Sequence, residues 1–294
     1  MGEKCINIGG MAVLEGVMMR MPGKYSVSVR KADGTISTKK EEINSISERF
    51  KFFSLPFIRG VVILLETLTV GFKALNYSSE VLLEEEGEKI TKTDTVFSII
   101  FAIILAFTLF FGIPLLLTNL LKGPIPLLEN NRITFNLIDG FFRILIFLLY
   151  LISISFLKDM RRVFQYHGAE HKAIFAFEKE GLLEKENAIK FSRLHPRCGT
   201  SFIMIVIILS ILVFSIFKSS DSFWFLILMR FLLIPVIMGI SYEIIKFSSL
   251  KPDNIFLKIF TFPGIALQYF TTREPSEDQV EVAIHAIKAL VLET

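Results

Sequence analysis

Residues 95–121 read TVFSIIFAIILAFTLFFGIPLLLTNLL, twenty-seven positions without a single charge. A hydrocarbon layer of ~30 Å needs about 20 helical residues to cross it, so this stretch is long enough to span, with tilt or with a break at Gly112 and Pro114. Three more stretches read the same way. Residues 135–157 carry Asp139 and Arg143 near their start, residues 200–217 carry no charge, and residues 222–247 carry Arg230 and, close to their end, Glu243 and Lys246. The short 218–221 linker makes the last two an antiparallel hairpin. The expected fold is an α-helical polytopic membrane protein with four transmembrane helices.

Outward from the spans, the composition limits what the rest can be. Of 294 residues 52% are apolar, including 30 Phe but one Trp, and the mean hydropathy is +0.56. Charged residues are 21%, close to a soluble average, so the surplus hydrophobicity is concentrated in the spans and a substantial aqueous part remains. The 32 Lys and Arg against 29 Asp and Glu leave +3, too little for a broad nucleic-acid surface, and no nucleic-acid partner is expected. Cys5 and Cys198 give no disulfide framework. The first 25 residues lack an apolar h-region, so no cleavable signal is expected.

Lys and Arg alternate across the spans: 13 in residues 1–94, 2 in 122–134, 9 in 158–199, 1 in 218–221 and 4 in 248–294. This bias predicts a multi-pass protein of the cell membrane with both termini cytoplasmic. The chain then divides into a cytoplasmic N-terminal region 1–94, a first transmembrane pair 95–157, a cytoplasmic loop 158–199, a second pair 200–247 and a cytoplasmic C-terminal region 248–294.

Two apolar segments are partial. Residues 56–76 carry Arg59, Glu66 and Lys73 at seven-residue spacing, one helical stripe, which predicts an amphipathic helix on the membrane surface or in a core. Residues 254–270 contain Lys258 and are interrupted by Pro263-Gly264, which predicts two short halves in an interfacial or re-entrant segment. Period-two alternation over 25–30 and 35–39 around Ala32-Asp33-Gly34 predicts a small N-terminal β-hairpin. Ser276 followed by Gln279 is a capping box that opens a final cytoplasmic helix, with Glu281, His285 and Lys288 on its polar face.

The chemistry concentrates in Tyr166-His167-Gly168-Ala169-Glu170-His171-Lys172. On a helix His167 and His171 stand one turn apart on one face, so both imidazoles can reach one metal. The string is H-x-x-E-H, in which Glu170 serves either as a general base beside a two-His zinc or as a carboxylate that orients one of the histidines. His195 and Cys198, at i, i+3 around Pro196, supply a second pair of ligand types next to the third span. A divalent transition metal, zinc by ligand type, is therefore expected at the cytoplasmic membrane face. Three protein ligands would leave a position open for catalysis; four would close the shell into a structural site. Inside the bilayer, Asp139, Arg143 and Arg230 lie at comparable depth. A lone intramembrane Arg costs at least ~2.5 kcal/mol, so pairing with Asp139 is expected.

Together with Gly9 to Arg20, His195 to Phe202 and Asp278 to Ile284, the 166–172 string resembles the DUF1385, or YqhQ-like, family of predicted metal-dependent membrane proteins. The resemblance covers essentially the whole chain. It departs at Met11, where the family usually has Gln, so no amide role is carried over there. The resemblance draws attention to Gly9, Gly10 and Gly16, as positions of tight backbone approach, and to Glu15, as an additional metal ligand or a partner of Arg20. Two functions follow as expectations. One is a zinc-dependent hydrolase acting at the cytoplasmic interface on a membrane protein or lipid. The alternative is a non-catalytic factor in membrane-protein biogenesis or quality control, with the metal as a structural clip. The partners expected are the lipid bilayer and other membrane proteins.

Overall fold

The structure, a computed structural model, describes residues 8–43, 45, 50–86, 92–181, 183–196, 198–217, 222–250 and 254–292. Four strands come first: β1 (Gly9–Val13), β2 (Gly16–Met21), β3 (Lys24–Arg30) and β4 (Ile36–Glu42). After a single 3-10 turn at Lys51–Ser54 comes α1 (Ile58–Glu86). Helix α2 (Lys92–Phe107), a π turn (Thr108–Gly112) and α3 (Ile113–Leu120) follow one another without a gap. The turn α4 (Leu127–Asn130) leads into α5 (Arg132–Ser155), and α6 (Lys158–Glu180) takes over after Leu157 leaves helical geometry at ψ 133°. The short α7 (Lys185–Ala188), α8 (Gly199–Phe214), α9 (Phe223–Leu250), α10 (Ile255–Thr271) and α11 (Glu277–Val291) complete the order.

The strands form one antiparallel meander in the order β1-β2-β3-β4. Alternation predicted the β3–β4 hairpin; β1 and β2 extend it to a four-stranded sheet. The reason they were illegible lies in the packing. Val17 and Met19 of β2 face a core with α6 and α11, whereas Met18 faces Val70, Ala74 and Val81 of α1. A strand buried on both faces reads as a continuous apolar run. Ser26 and Ser28, fully buried on β3, are satisfied by the Ala286 carbonyl at 2.6 Å and Thr38 Oγ1 at 2.8 Å. At Gly16 an added Cβ would lie 2.2 Å from the Ser28 carbonyl oxygen, so no other residue fits there. Gly9 meets no such crowding.

Among the described residues, three helical rods are long and apolar enough to cross a membrane: Val96–Leu120, Arg132–Ser155 and Phe223–Ser248. The expected third span, 200–217, is a shorter element: α8 has 16 residues, about 24 Å of helix, because 215–217 lie past its end. The 218–221 linker lies outside the described residues. Helix α10 is not split. Pro263 sits inside one continuous helix, and Gly264 turns the interruption into a packing contact, since a Cβ there would come 2.3 Å from Ser201 Cα on α8. Helix α1 outruns its expected bounds and packs Val70, Ala74 and Val81 into a core with the sheet. The Arg59, Glu66 and Lys73 stripe reaches Glu243, Arg20 and Glu41, at 2.5, 3.0 and 4.0 Å. The capping box of α11 forms as expected.

The π turn meets the expected break near Gly112 and Pro114. Proline has no N–H, so the Phe110 carbonyl loses its partner in the helix; Arg143 Nε donates to it at 3.1 Å. Arg143 also donates to Ser210 Oγ of α8 at 2.5 Å and to Asp139 Oδ2 at 2.6 Å. Arg230 of α9 donates to Asp139 Oδ1 at 2.9 Å and to the Phe111 carbonyl at 3.2 Å. One carboxylate thus lies between two guanidiniums, all at most 2% exposed. Replacing Asp139 by Asn leaves both cations buried against a neutral amide, at an expected cost of about 3–5 kcal/mol. The thermal midpoint of the detergent-purified D139N protein should fall, and D139N/R230Q should regain part of the loss; strictly additive losses would mean the two charges do not sense each other.

Candidate metal centre

Helix α6 carries two functional faces. Arg162, Tyr166 and Glu170, four residues apart, face the sheet, while His167 and His171 face α8 and the end of α10. Gly168 makes this docking possible: a Cβ there would lie 2.2 Å from the Arg273 carbonyl oxygen, in the linker between α10 and α11.

His167 Nδ1 lies 2.8 Å from the Thr271 carbonyl and His171 Nδ1 lies 2.5 Å from the Arg193 carbonyl. A carbonyl only accepts, so each ring carries its proton on Nδ1 and keeps an Nε2 lone pair when neutral. Those lone pairs converge with one thiol. Cys198 Sγ is 3.1 Å from His167 Nε2, and the ligand atoms of His167, His171 and Cys198 all lie within 4.8 Å of one another. A tetrahedral zinc with bonds of ~2.0–2.3 Å holds its ligands about 3.3–3.7 Å apart, so modest side-chain rotation closes the triangle. His171 Nε2 is buried and has no hydrogen-bond partner among the described residues. Cys198 is the N-cap of α8, where Thr200 N and Oγ1 approach its sulfur at 3.5 and 3.3 Å. Imidazoles oriented by outer carbonyls are the usual support of a bound metal.

Glu170 lies beside this triangle, outside its 4.8 Å limit. It is buried against Gly10 of β1, where a Cβ would stand 2.9 Å from Glu170 Cγ. Burial pushes its carboxyl up to about 7, against the pull of His167 and a hydrogen bond from the Gly10 backbone. Its Oε2 has no partner among the described residues.

The other expected ligands go elsewhere. His195 Nε2 is 3.7 Å from a Glu178 carboxylate oxygen, and its ring packs 4.4 Å from that of Phe175. Gln268 clamps its backbone on both sides, at 2.7 and 2.8 Å. Although its ring centroid is 5.6 Å from that of His171, it does not join the ligand triangle. Glu15 stands outside the ligand triangle and is not the partner of Arg20: at the β1–β2 turn, with φ 49°, its carboxylate takes two Arg162 donors and the Tyr166 hydroxyl. Arg20 pairs with Glu66 instead. Sequence reasoning missed the two carbonyl acceptors, since a main-chain oxygen has no residue signature. It also left unassigned Lys172, which is buried and donates to the Ile189 and Phe191 carbonyls, each at 2.8 Å, and pairs with Glu274.

With the site in view, the chain was compared with known proteins. A family profile described as "Protein of unknown function (DUF1385)" matches residues 55–293. The chain is 35% identical over 296 residues to the uncharacterized protein YqhQ of Bacillus subtilis (strain 168), across 96% of this chain and 92% of the relative. No solved structure matches.

The buried carboxyl makes a pH prediction. A Glu held near 7 rather than 4.5 binds its proton more tightly folded than unfolded, so its contribution to stability is present at low pH and lost as pH rises through about 7. The full difference is up to about 3 kcal/mol. Glu170→Gln keeps the shape and removes the titration. In metal-free protein, the stability of E170Q relative to wild type should rise between about pH 5 and 8, whereas parallel curves would place the carboxyl in an ordinary environment.

Proposed function

This chain belongs to the DUF1385 family, and we propose that it is a multi-pass cell-membrane protein whose cytoplasmic face carries a zinc-type centre of a hydrolase. His167, His171 and Cys198 are the ligands of this centre, and Glu170 is its general base. The observation that carries the reading is the number of converging ligands. Three meet and His195 is held away, which leaves one position for water or substrate. Such an ion supplies Lewis acidity at its open position when bound. The chain's own groups supply the rest. Thr271 and Arg193 fix the rings, Thr200 at the α8 terminus holds the Cys198 sulfur, and Glu170 accepts and returns a proton at Oε2 near neutral pH. The substrate is a membrane protein or lipid, because Cys198 caps the start of the apolar helix α8 and His167 and His171 meet it from α6, the helix that follows α5 into the aqueous part.

One observation favours the second reading, a non-catalytic biogenesis or quality-control factor with a metal clip. Cys198, His171 and Glu170 are each less than a tenth exposed, and the site joins α6 to α8. Metal content and function separate the two. Purified wild-type protein should carry about one zinc-like ion per chain, and His167→Ala or Cys198→Ser should lose it. Glu170→Gln should keep the ion and abolish the cellular phenotype of the active protein. Full function in metal-loaded E170Q would leave only the clip, and a metal-free wild type purified without chelators would sink both readings.

The proposal includes the topology: α8 crosses as the third of four spans and both termini are cytoplasmic, in line with the alternation of Lys and Arg. In intact cells a membrane-impermeant thiol reagent should label Gly123→Cys and leave Glu186→Cys and His285→Cys untouched until the membrane is opened. Labelling at 186 from outside would overturn this arrangement.

A further inference from the structure

The segment between the sheet and α1 is unusual in what it exposes. Phe50, Phe52, Leu55 and Phe57 are each 47–62% accessible, around the 3-10 turn at Lys51–Ser54. Large apolar side chains exposed together mark a surface that something covers. Phe57 is also held in the left-handed region, at φ 67°, a conformation that a bulky residue rarely adopts. Backbone strain of this kind persists only where the surroundings impose it. Here they do. The Phe57 amide donates to Glu243 Oε1 at 3.3 Å, and its carbonyl oxygen lies so close to α9 that a Cβ on Gly239 would stand 2.6 Å from it. Gly60 repeats the close approach, with a Cβ there 2.7 Å from Tyr242 Cβ. The strain therefore does not serve to bury Phe57 in the protein; it presents the ring outward.

The depth of these contacts identifies the covering medium. Glu243 lies twenty residues after Phe223, the start of α9, about one bilayer thickness of helix. Gly239 lies one turn further in. Arg59 pairs with Glu243 at this level, through Nε at 2.8 Å and Nη2 at 2.5 Å, which removes two unpaired charges from the hydrocarbon border. An apolar crevice of about 350 Å³ opens beside the pair, lined by Pro56, Phe57, Ile240, Ile244 and Phe247. On the same helix Leu65 and Leu68 are exposed to more than half. The segment is thus continuous with the lipid-facing surface of α9, whose Val236 and Phe247 are also exposed.

We infer that residues 50–57 are an interfacial anchor: Phe50, Phe52, Leu55 and Phe57 insert into the cytoplasmic-leaflet boundary between headgroups and acyl chains, and the strained Phe57 backbone, braced on Gly239 and Glu243, sets their depth. Aromatic rings are favoured at that boundary, and Lys51 extends from it to the headgroups. The inference rests on α9 crossing the bilayer and is independent of the metal centre.

The single Trp of the chain, Trp224 at the far end of α9, provides the control. Full-length protein is placed in nanodiscs of phosphatidylcholine and phosphatidylglycerol whose acyl chains are brominated either near the headgroup or near the methyl end. Quenching of Trp224 reports whether α9 lies in the bilayer. In a Trp224→Phe background, Phe52→Trp and, separately, Phe57→Trp should emit at blue-shifted wavelengths and be quenched at least twofold more by the shallow bromines than by the deep ones. Two probes keep the test decisive if one variant fails to fold. If Trp224 is quenched while the new indoles are red-shifted and unquenched, the segment faces water and the anchor is overturned. If they are blue-shifted but unquenched by either lipid, protein covers the segment, a second copy or a partner, and the anchor is equally overturned. An unquenched Trp224 would instead remove α9 from the bilayer, and the anchor with it.

Discussion

Hydrocarbon offers no hydrogen bonds, so every backbone group freed within it must find a partner in the protein. Pro114 creates such a debt in the middle of the α2–α3 rod by leaving the Phe110 carbonyl without its helical donor. Arg143 answers it, but a guanidinium in the same medium needs a counter-charge, and Asp139 lies one turn away on the same helix. Arg230 and Ser210 then enter from α9 and α8. A single missing N–H thus accounts for a polar knot that joins four helical rods at one level. The rings of Phe111 and Phe214 pack over Arg143 at 5.1 Å, covering what charge remains.

That level sets the height of everything at the other end of the bundle. Helices α5 and α8 are tied by Arg143 and Ser210 and run from the knot toward the aqueous part. There α5 hands over to α6, and α8 begins at Cys198. The distance of Cys198 from His167 and His171 thus depends on the register between α5 and α8 that the Arg143–Ser210 contact fixes. Helix α10, pressed onto α8 through Gly264 and Ser201, brings the Thr271 carbonyl to His167. From the opposite side the sheet supplies Gly10, whose lack of a side chain makes room for Glu170. Membrane register, a glycine contact and a sheet edge together compose one small site.

How much of this was legible follows from what sequence patterns encode. Length and apolar composition reveal helices that could cross a bilayer, and they served well for three rods. They do not reveal where a helix ends, which is why the third apolar stretch reads to 217 although α8 stops at Phe214. Proline reads as an interruption, yet in α10 the adjoining Gly264 permits close packing that keeps the helix whole. Strand β2 hid because its two faces are both buried. At the site, the i, i+4 spacing of His167 and His171 carried their shared face. The i, i+3 pair His195 and Cys198 offered two ligands, and spacing alone could not choose between them; the choice is made by Gln268 and Phe175, which hold His195 toward Glu178. The carbonyls that fix the imidazole tautomers belong to Thr271 and Arg193 by position only.

The unsatisfied atoms of the site give the proposed chemistry its internal logic. With Cys198 as a thiol, Glu170 protonated and both rings neutral, the cluster has no net charge, yet His171 Nε2 and Glu170 Oε2 stay without partners in the interior. An orphaned buried polar atom costs about 1–3 kcal/mol, so two of them in one cluster are a standing expense of the fold. On the proposed reading they are of different kinds. The Nε2 lone pair is a ligand waiting for a cation. The Oε2 atom belongs to an acid whose environment leaves it divided between its two protonation states near neutral pH, as a group that both takes and returns a proton requires. A purely structural clip has use for the first orphan and none for the second, and that asymmetry is why Glu170, rather than any ligand, decides between the two functions.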